Sequence, residues 1–362
     1  MIQFFDNNIY SGKKVLVTGH TGFKGSWLSL WLKELGAEVF GLSKDIPTNP
    51  SHFKLLNIEK DIGHHIFDIR DKDKLCSLIQ KVAPDFVFHL AAQPLVKQSY
   101  KNPSETISTN VMGINNLLDA LRNLNKKCAT VLITSDKCYD NIEVERGYHE
   151  EDILGGKDPY SASKGAAELV FKGYYHSFFK DQSDIRIATA RAGNVIGGGD
   201  WGNNRIIPDC IRAWNNDQNV IIRNPDSTRP WQHVLEPLSG YLQLGLCLWQ
   251  DKTFNGKSYN FGPRGEENYS VVELIKKISS RYFDNPYPKY ETKSESSFHE
   301  ASLLSLDCRK AKSELNWSQT LTFDKTCNYT ADWYKLYHHK NCYKFSVSQI
   351  NEFINLAKLK SR

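Results

Sequence analysis

The chain has little that would cross-link it, hold a metal or anchor it in a lipid bilayer. Its eight cysteines stand alone, with no Cys-x-x-Cys pair and no histidine at metal-ligand spacing. That pattern argues against a disulfide framework and against a zinc site, and it suits the reducing cytoplasm. Several of the thiols fall in apolar runs, where a reduced cysteine behaves as a small hydrophobe. The N-terminus has no apolar signal core. The most apolar later stretch, residues 242–249, is far too short to span a membrane. Net charge is +5, yet no basic run exceeds a few residues. Nucleic-acid binding therefore has no support, and the scattered charge gives at most a mild bias toward anionic small molecules. Repeats, low-complexity tracts and flexible linkers are also missing. What remains, 362 residues with 40% apolar and 24% charged side chains, is ordinary for a soluble globular protein of one large or two smaller domains.

The informative stretches begin early. Lys14-Val15-Leu16-Val17-Thr18 is a short apolar run, as expected of a strand buried on both faces. It leads directly into Gly19-His20-Thr21-Gly22-Phe23-Lys24-Gly25 and then an amphipathic stretch. Strand, glycine turn and helix form the context for a dinucleotide fingerprint: the glycines let the backbone approach a pyrophosphate, and the helix start supplies amides. The spacing is Gly-x-x-Gly-x-x-Gly rather than Gly-x-Gly-x-x-Gly. Gly19, Thr21, Gly22, Phe23, Lys24 and Gly25 are thus candidate cofactor contacts.

A second strand is predicted over residues 38–42 and a third over 66–69, which places Asp68 and Ile69 near an adenine. Beyond the second strand the acid that usually meets the adenosine ribose is displaced: Asp45 would serve NAD, whereas Lys44 would favour the 2′-phosphate of NADP. A fourth strand over 85–92 ends in Leu90, Ala91 and Ala92, small enough at its end for close backbone approach or simply for tight packing. A helix over 106–124 and a fifth strand over 129–134 follow. Strands alternating with helices predict an α/β fold with a doubly wound, mostly parallel Rossmann-type sheet, whose ligand lies at the carboxyl ends of the strands.

By that rule Ser135, Asp136 and Lys137, directly after the fifth strand, sit at the reactive end. An acid and an amine side by side make either an acid–base pair or an ion pair. Asp158-Pro159-Tyr160 opens a further helix. Tyr160 and Lys164 are four residues apart, so both lie on one helix face. A free phenol titrates near ~10, and an ammonium beside it is expected to lower that value.

The second half changes character. A strand over 187–192 leads to a glycine cluster, Gly193-Asn194-Val195-Ile196-Gly197-Gly198-Gly199-Asp200-Trp201. Arg223 and Arg229 lie among turns and suit either a nucleotide diphosphate or plain surface. Helices near 270–280, 309–315 and 324–338 predict a smaller, mainly helical C-terminal substrate lobe. The expected division is a dinucleotide-binding domain over residues 1–190, with strands returning from about 232–262, and a nucleotide-sugar lobe over 191–362.

Taken together, ThrGlyHisThrGlyPheLysGly, HisLeuAlaAlaGlnPro, ThrSerAspLysCysTyr, AspProTyrSerAlaSerLysGly, GlyGlyGlyAspTrp and ArgProTrpGlnHis resemble the extended short-chain dehydrogenase/reductase family, and within it the nucleotide-sugar 4,6-dehydratases. The glycine motif and Tyr-x-x-x-Lys mark the broad family. Ser-Asp-Lys is more discriminating, because the dTDP-glucose and GDP-mannose branches carry Glu at the position of Lys137; the resemblance points to the branch that dehydrates a CDP-hexose.

The resemblance implies a redox-neutral elimination assisted by NAD. In it Tyr160, with Lys164 and Ser135, takes the 4-hydroxyl proton, Lys137 removes the C5 proton, and Asp136 protonates the departing 6-hydroxyl. It also implies Gln93, Asn194, Arg205, Arg229 and Asn260 as substrate contacts, and a homodimer or dimer-based tetramer built on the helices over 106–124 and 160–179. Rival readings are a dehydratase for a GDP-, UDP- or dTDP-hexose, a C4 epimerase, and a non-catalytic dinucleotide-binding protein. An epimerase needs no acid and base for C5 and C6, so the Asp136-Lys137 pair argues against it.

Overall fold

The computed structural model describes residues 3–6, 8–144, 146–181, 184–222, 224–263, 268–283, 290–292, 304–339 and 341–361. Seven strands form one wholly parallel sheet: β1 Lys14–Thr18, β2 Glu38–Ser43, β3 Gly63–Ile66, β4 Phe86–His89, β5 Cys128–Ile133, β6 Ile185–Ala192 and β7 Ser258–Phe261. Their spatial order is β7-β6-β5-β4-β1-β2-β3. The order reverses between β1 and β4, which opens the crevice where such sheets take their ligand.

The strands are apolar on both faces because helices cover both. Along β1, Val15 and Val17 enter one core and Leu16 the other; Phe86 and Phe88 part from Val87 in the same way, as Val131 does from Leu132. One layer contains the helices Phe23–Glu34 and Leu235–Gln250. The other contains Lys72–Val82, Gly113–Arg122 and Pro159–Tyr174.

Several boundaries differ from expectation. The third strand is Gly63–Ile66, not 66–69, so Asp68 and Ile69 lie beyond its carboxyl end. Its polar Gly-His-His sequence is tolerated because β3 is an edge strand covered only in part. The helix expected over 106–124 starts at Pro103, passes through a π-turn at Ser108–Met112 and ends at Arg122. Of the segment 232–262, only β7 joins the main sheet; Gln232–His233 pairs instead with Val195–Ile196.

The C-terminal helices are Val271–Tyr282, Arg309–Leu315, Phe323–Leu336 and Cys342–Ser361. The last packs onto the first helix, with Phe353 edge-on to Trp31 and Lys33 donating to the Tyr343 hydroxyl at 2.8 Å. Among the described residues no helix is long and apolar enough to cross a membrane, and no cluster of His, Cys, Asp or Glu has metal-binding geometry.

Candidate active site

The glycine turn is shaped by close backbone contact. Gly19, at φ +78°, packs so near β4 that a Cβ would lie 2.8 Å from the Ala91 amide nitrogen and 2.9 Å from the Leu90 carbonyl carbon. A Cβ on Gly25 would lie 2.1 Å from the Gly19 oxygen. Gly22 caps the following helix without any side-chain hydrogen bond, which leaves the first-turn amides for an anion. Thr21 is held by its hydroxyl, which donates to the Asp45 carbonyl at 2.6 Å. The Phe23 ring approaches Gly197, joining the turn to the second glycine cluster. This cradle fits a dinucleotide pyrophosphate.

Beyond the end of β3, Asp68 is gripped by Arg70 (2.7 Å), which holds its carboxyl below the usual range. Ile69 is buried against Gly113. Lys44 pairs with Glu105 at 3.3 Å and Asp68 at 3.9 Å, and Asp45 is exposed. Ala91 is anchored through its amide to the Thr18 hydroxyl at 3.2 Å; Ala92 follows in the same half-buried loop.

Beyond β5 the chain makes a single 3₁₀ turn, Asp136–Cys138, because the Ser135 side chain caps it by accepting from the Lys137 amide at 3.2 Å. The Ser135 hydroxyl donates to Asp136 Oδ1 at 2.9 Å. The Tyr160 helix starts where Asp158 accepts from the Tyr160 and Ser161 amides at 2.9 and 3.0 Å, with Pro159 in the first turn.

These two elements bring Ser135, Asp136 and Tyr160 together: Ser135 and the Asp136 charge both act on the phenol. Burial pushes Tyr160 up to about 12, against the opposing pull of Ser135 and then Arg205. The expected lowering of the phenol is thus reversed, since removing it from water outweighs the pull of Ser135 and Arg205. Lys164 is pushed down to about 8 by the same burial.

Lys24 also falls to about 8, chiefly through burial and then Arg205, and it lies in the field of Asp136, Lys164 and Asp200. Arg205 is fixed by Asp200 at 2.9 Å and stands near Tyr160. Asn194, at φ +51°, lines a cleft with Asp136, Gly193 and Gln232.

Gln93 and Asn260, also predicted as contacts, are engaged elsewhere. The Gln93 amide bonds Leu95 and the Thr106 hydroxyl, while its backbone ties through Asn110 to Ser163 on the Tyr160 helix. Asn260 is fully buried, receiving the Tyr139 hydroxyl at 2.7 Å and donating to the Tyr148 carbonyl at 2.8 Å. Arg229 sits on the short strand Thr228–Arg229 and donates to the Thr228 carbonyl. Arg223 lies outside the described residues.

Two site residues were not singled out from sequence. Asp200 orients Arg205, and its carbonyl accepts the Tyr334 hydroxyl. Gln232 donates to the Gly193 and Phe261 carbonyls, both at 3.0 Å, and its buried side-chain oxygen has no partner among the described residues.

With this geometry in place, comparison with known proteins is specific. The family model of GDP-mannose 4,6-dehydratase matches residues 16–330. CDP-glucose 4,6-dehydratase of Salmonella typhimurium is 48% identical over 91% of this chain and 92% of its own. An epimerase of Methanothermobacter thermautotrophicus superposes with a TM-score of 0.76 at 23% identity, covering 90% of this chain and 93% of the other. dTDP-glucose 4,6-dehydratase of Streptomyces venezuelae, solved with NAD bound, gives 0.74 at 22% identity over 89% and 97%.

Proposed function

The chain belongs to the GDP-mannose 4,6-dehydratase family within the extended short-chain dehydrogenase/reductases, and from that premise we propose that it converts CDP-D-glucose to CDP-4-dehydro-6-deoxy-D-glucose by NAD-assisted loss of water. One observation carries the reading: the Ser135-Asp136-Lys137 turn meets the Tyr160/Lys164 helix beside the glycine cradle. The 48% identical relative supports CDP-glucose over other nucleotide hexoses.

NAD, when bound along Gly19 to Gly25, supplies a hydride acceptor for C4 and, reduced, a hydride donor for C6, so the overall reaction is redox-neutral. Tyr160, assisted by Ser135 and by Lys164 one helical turn on, takes the 4-hydroxyl proton. The resulting ketone acidifies C5, and Lys137 removes that proton. Asp136 gives its proton to the departing 6-hydroxyl, which leaves poorly without an acid. Asn194, Arg205 and Arg229 hold the sugar nucleotide, Arg205 being pre-aimed by Asp200.

Residues 1–190 with β7 hold the dinucleotide, and residues 191–362 hold the sugar nucleotide. The helices that lead to and carry Tyr160 expose Ile107, Met112 and Leu169, which supports a homodimer through that face. The product class suits deoxysugar synthesis for surface polysaccharide in the cytoplasm. Incubating the purified protein with CDP-, dTDP-, GDP- and UDP-glucose tests the assignment. The alkali-dependent ultraviolet absorbance of a 4-keto sugar is expected with CDP-glucose; its appearance only with another nucleotide would move the substrate.

A further inference from the structure

Beneath the site lies a fully buried ion pair that the proposed chemistry does not use. Glu168 follows Lys164 by one helical turn, as Lys164 follows Tyr160, so the three form one stripe along Pro159–Tyr174. Arg191, on β6, donates to Glu168 through Nε at 2.9 Å and through Nη2 at 2.8 Å. Neither side chain touches solvent.

The partners of the pair are not generic core groups. Glu168 Oε1 also accepts the Thr134 hydroxyl at 2.6 Å, and Thr134 is the residue immediately before Ser135. Arg191 Nη1 donates to the Tyr139 hydroxyl at 2.8 Å, and Tyr139 is the residue immediately after the Asp136–Cys138 turn. The turn that carries Ser135, Asp136 and Lys137 is therefore pinned at both ends to one ion pair, and one member of that pair, Glu168, is itself part of the helix carrying Tyr160 and Lys164. Thr189 and Ser258 lie around the same carboxylate, the Thr189 hydroxyl donating to Glu168 Oε2 at 3.0 Å, and Arg191 Nη1 also donates to the Glu150 carbonyl at 3.0 Å.

We propose that Glu168 and Arg191 are positioning residues that set the register between two catalytic elements, the Tyr160/Lys164 helix and the Ser135-Asp136-Lys137 turn. The proposal rests on the functional reading above and deepens it. Oxidation at C4 and elimination across C5 and C6 use different elements on one hexose. A shift of either element by about 1 Å is enough to cost about a hundredfold in rate. A buried ion pair is weak evidence for stability, since an apolar pair of similar volume is often as stable, whereas its bidentate geometry fixes direction as well as distance.

Three variants separate positioning from mere support of the fold. Glu168→Gln strands the Arg191 charge and is expected to lower the melting temperature. Glu168→Leu with Arg191→Met removes both charges and is expected to recover that temperature while kcat stays down by about tenfold or more, with KM within about threefold. Thr134→Val keeps the shape of the site and the ion pair but frees the amino-terminal end of the turn. It is expected to stay fully folded and to lose about tenfold in kcat. Recovery of kcat along with stability in the double variant, together with parental kcat in Thr134→Val, would overturn the inference; if the double variant does not fold, Thr134→Val decides alone. A parent enzyme inert toward CDP-glucose would overturn the substrate assignment instead. The positioning claim would then be read from crystals of parent and Thr134→Val, where the separation of the Asp136 carboxylate from the Tyr160 oxygen is expected to change by about 1 Å. An unchanged separation would contradict it.

Discussion

The Asp136 carboxylate rests directly on the α-carbon of Gly193, so closely that a Cβ at that position would lie 2.0 Å from Oδ2. Gly193→Ala must therefore push the carboxylate away, although Gly193 itself needs no unusual backbone angle. The expected result is a kcat lower by about a hundredfold, with dinucleotide binding unchanged by titration. Parental kcat would remove Asp136 from the reaction.

Tyr160 and Lys137 are assigned to different steps, so their variants should separate those steps. Tyr160→Phe is expected to abolish turnover while dinucleotide still binds. Lys137→Ala is expected to slow exchange of the C5 hydrogen with solvent more than the initial oxidation, followed as reduced-nicotinamide absorbance. An equal loss in both steps would move the base to another residue.

Lys164 keeps a buried amine whose value falls from the ordinary lysine range to about 8. The unfolded chain binds that proton more tightly than the folded one, so below pH 8 the residue costs about 3 kcal/mol of stability. The cost fades between pH 8 and about 10.5, where lysine is neutral in both states. Lys164→Met should thus raise the melting temperature at pH 7 while abolishing activity, and the gain should vanish near pH 10.5. A melting temperature that falls at pH 7 would contradict this sign.

Four buried histidines shift the other stability limit. His20 is lowered to about 4, and His52, His89 and His233 to about 3, in each case mainly by burial. Above pH 6.5 they are neutral folded or unfolded. As pH falls from about 6.5 toward 4 the unfolded chain alone takes up their protons, and each costs up to about 1.4 kcal/mol per pH unit. Denaturant midpoints should drop steeply over that window, and His52→Asn should shallow the slope. A stability that holds constant from pH 7 to 5 would contradict the burial of these rings.

Much of this architecture could be read from the chain because β1, β4 and β5 are covered on both faces and so appear as nearly continuous apolar runs. β3 escaped the same logic: half-covered at the sheet edge, it tolerates Gly63, His64 and His65, and the apolar residues that follow it misled the boundary. The glycine turn, Ser135-Asp136-Lys137 and Tyr160/Lys164 were legible because each is a short local pattern.

Asp200, Gln232 and the Glu168–Arg191 pair were not, since their meaning arises only when distant segments meet. The spacing of Glu168 one turn beyond Lys164 is the one local signal that could have pointed there. Asn260 shows the converse: the resemblance implies it as a substrate contact, and in the fold it joins Tyr139, Tyr148 and Glu150 in a buried network. The phenol of Tyr160 depended on solvent exclusion, which spacing along a helix does not reveal.

The most direct test follows one hydrogen. CDP-glucose carrying deuterium at C4 is incubated with the purified protein, and the sugar product is analysed by mass spectrometry and proton NMR. The account predicts a 4-keto-6-deoxy sugar with the deuterium now at C6 and a solvent-derived hydrogen at C5. A product that keeps its 6-hydroxyl, or one whose C6 carries no label, would contradict it.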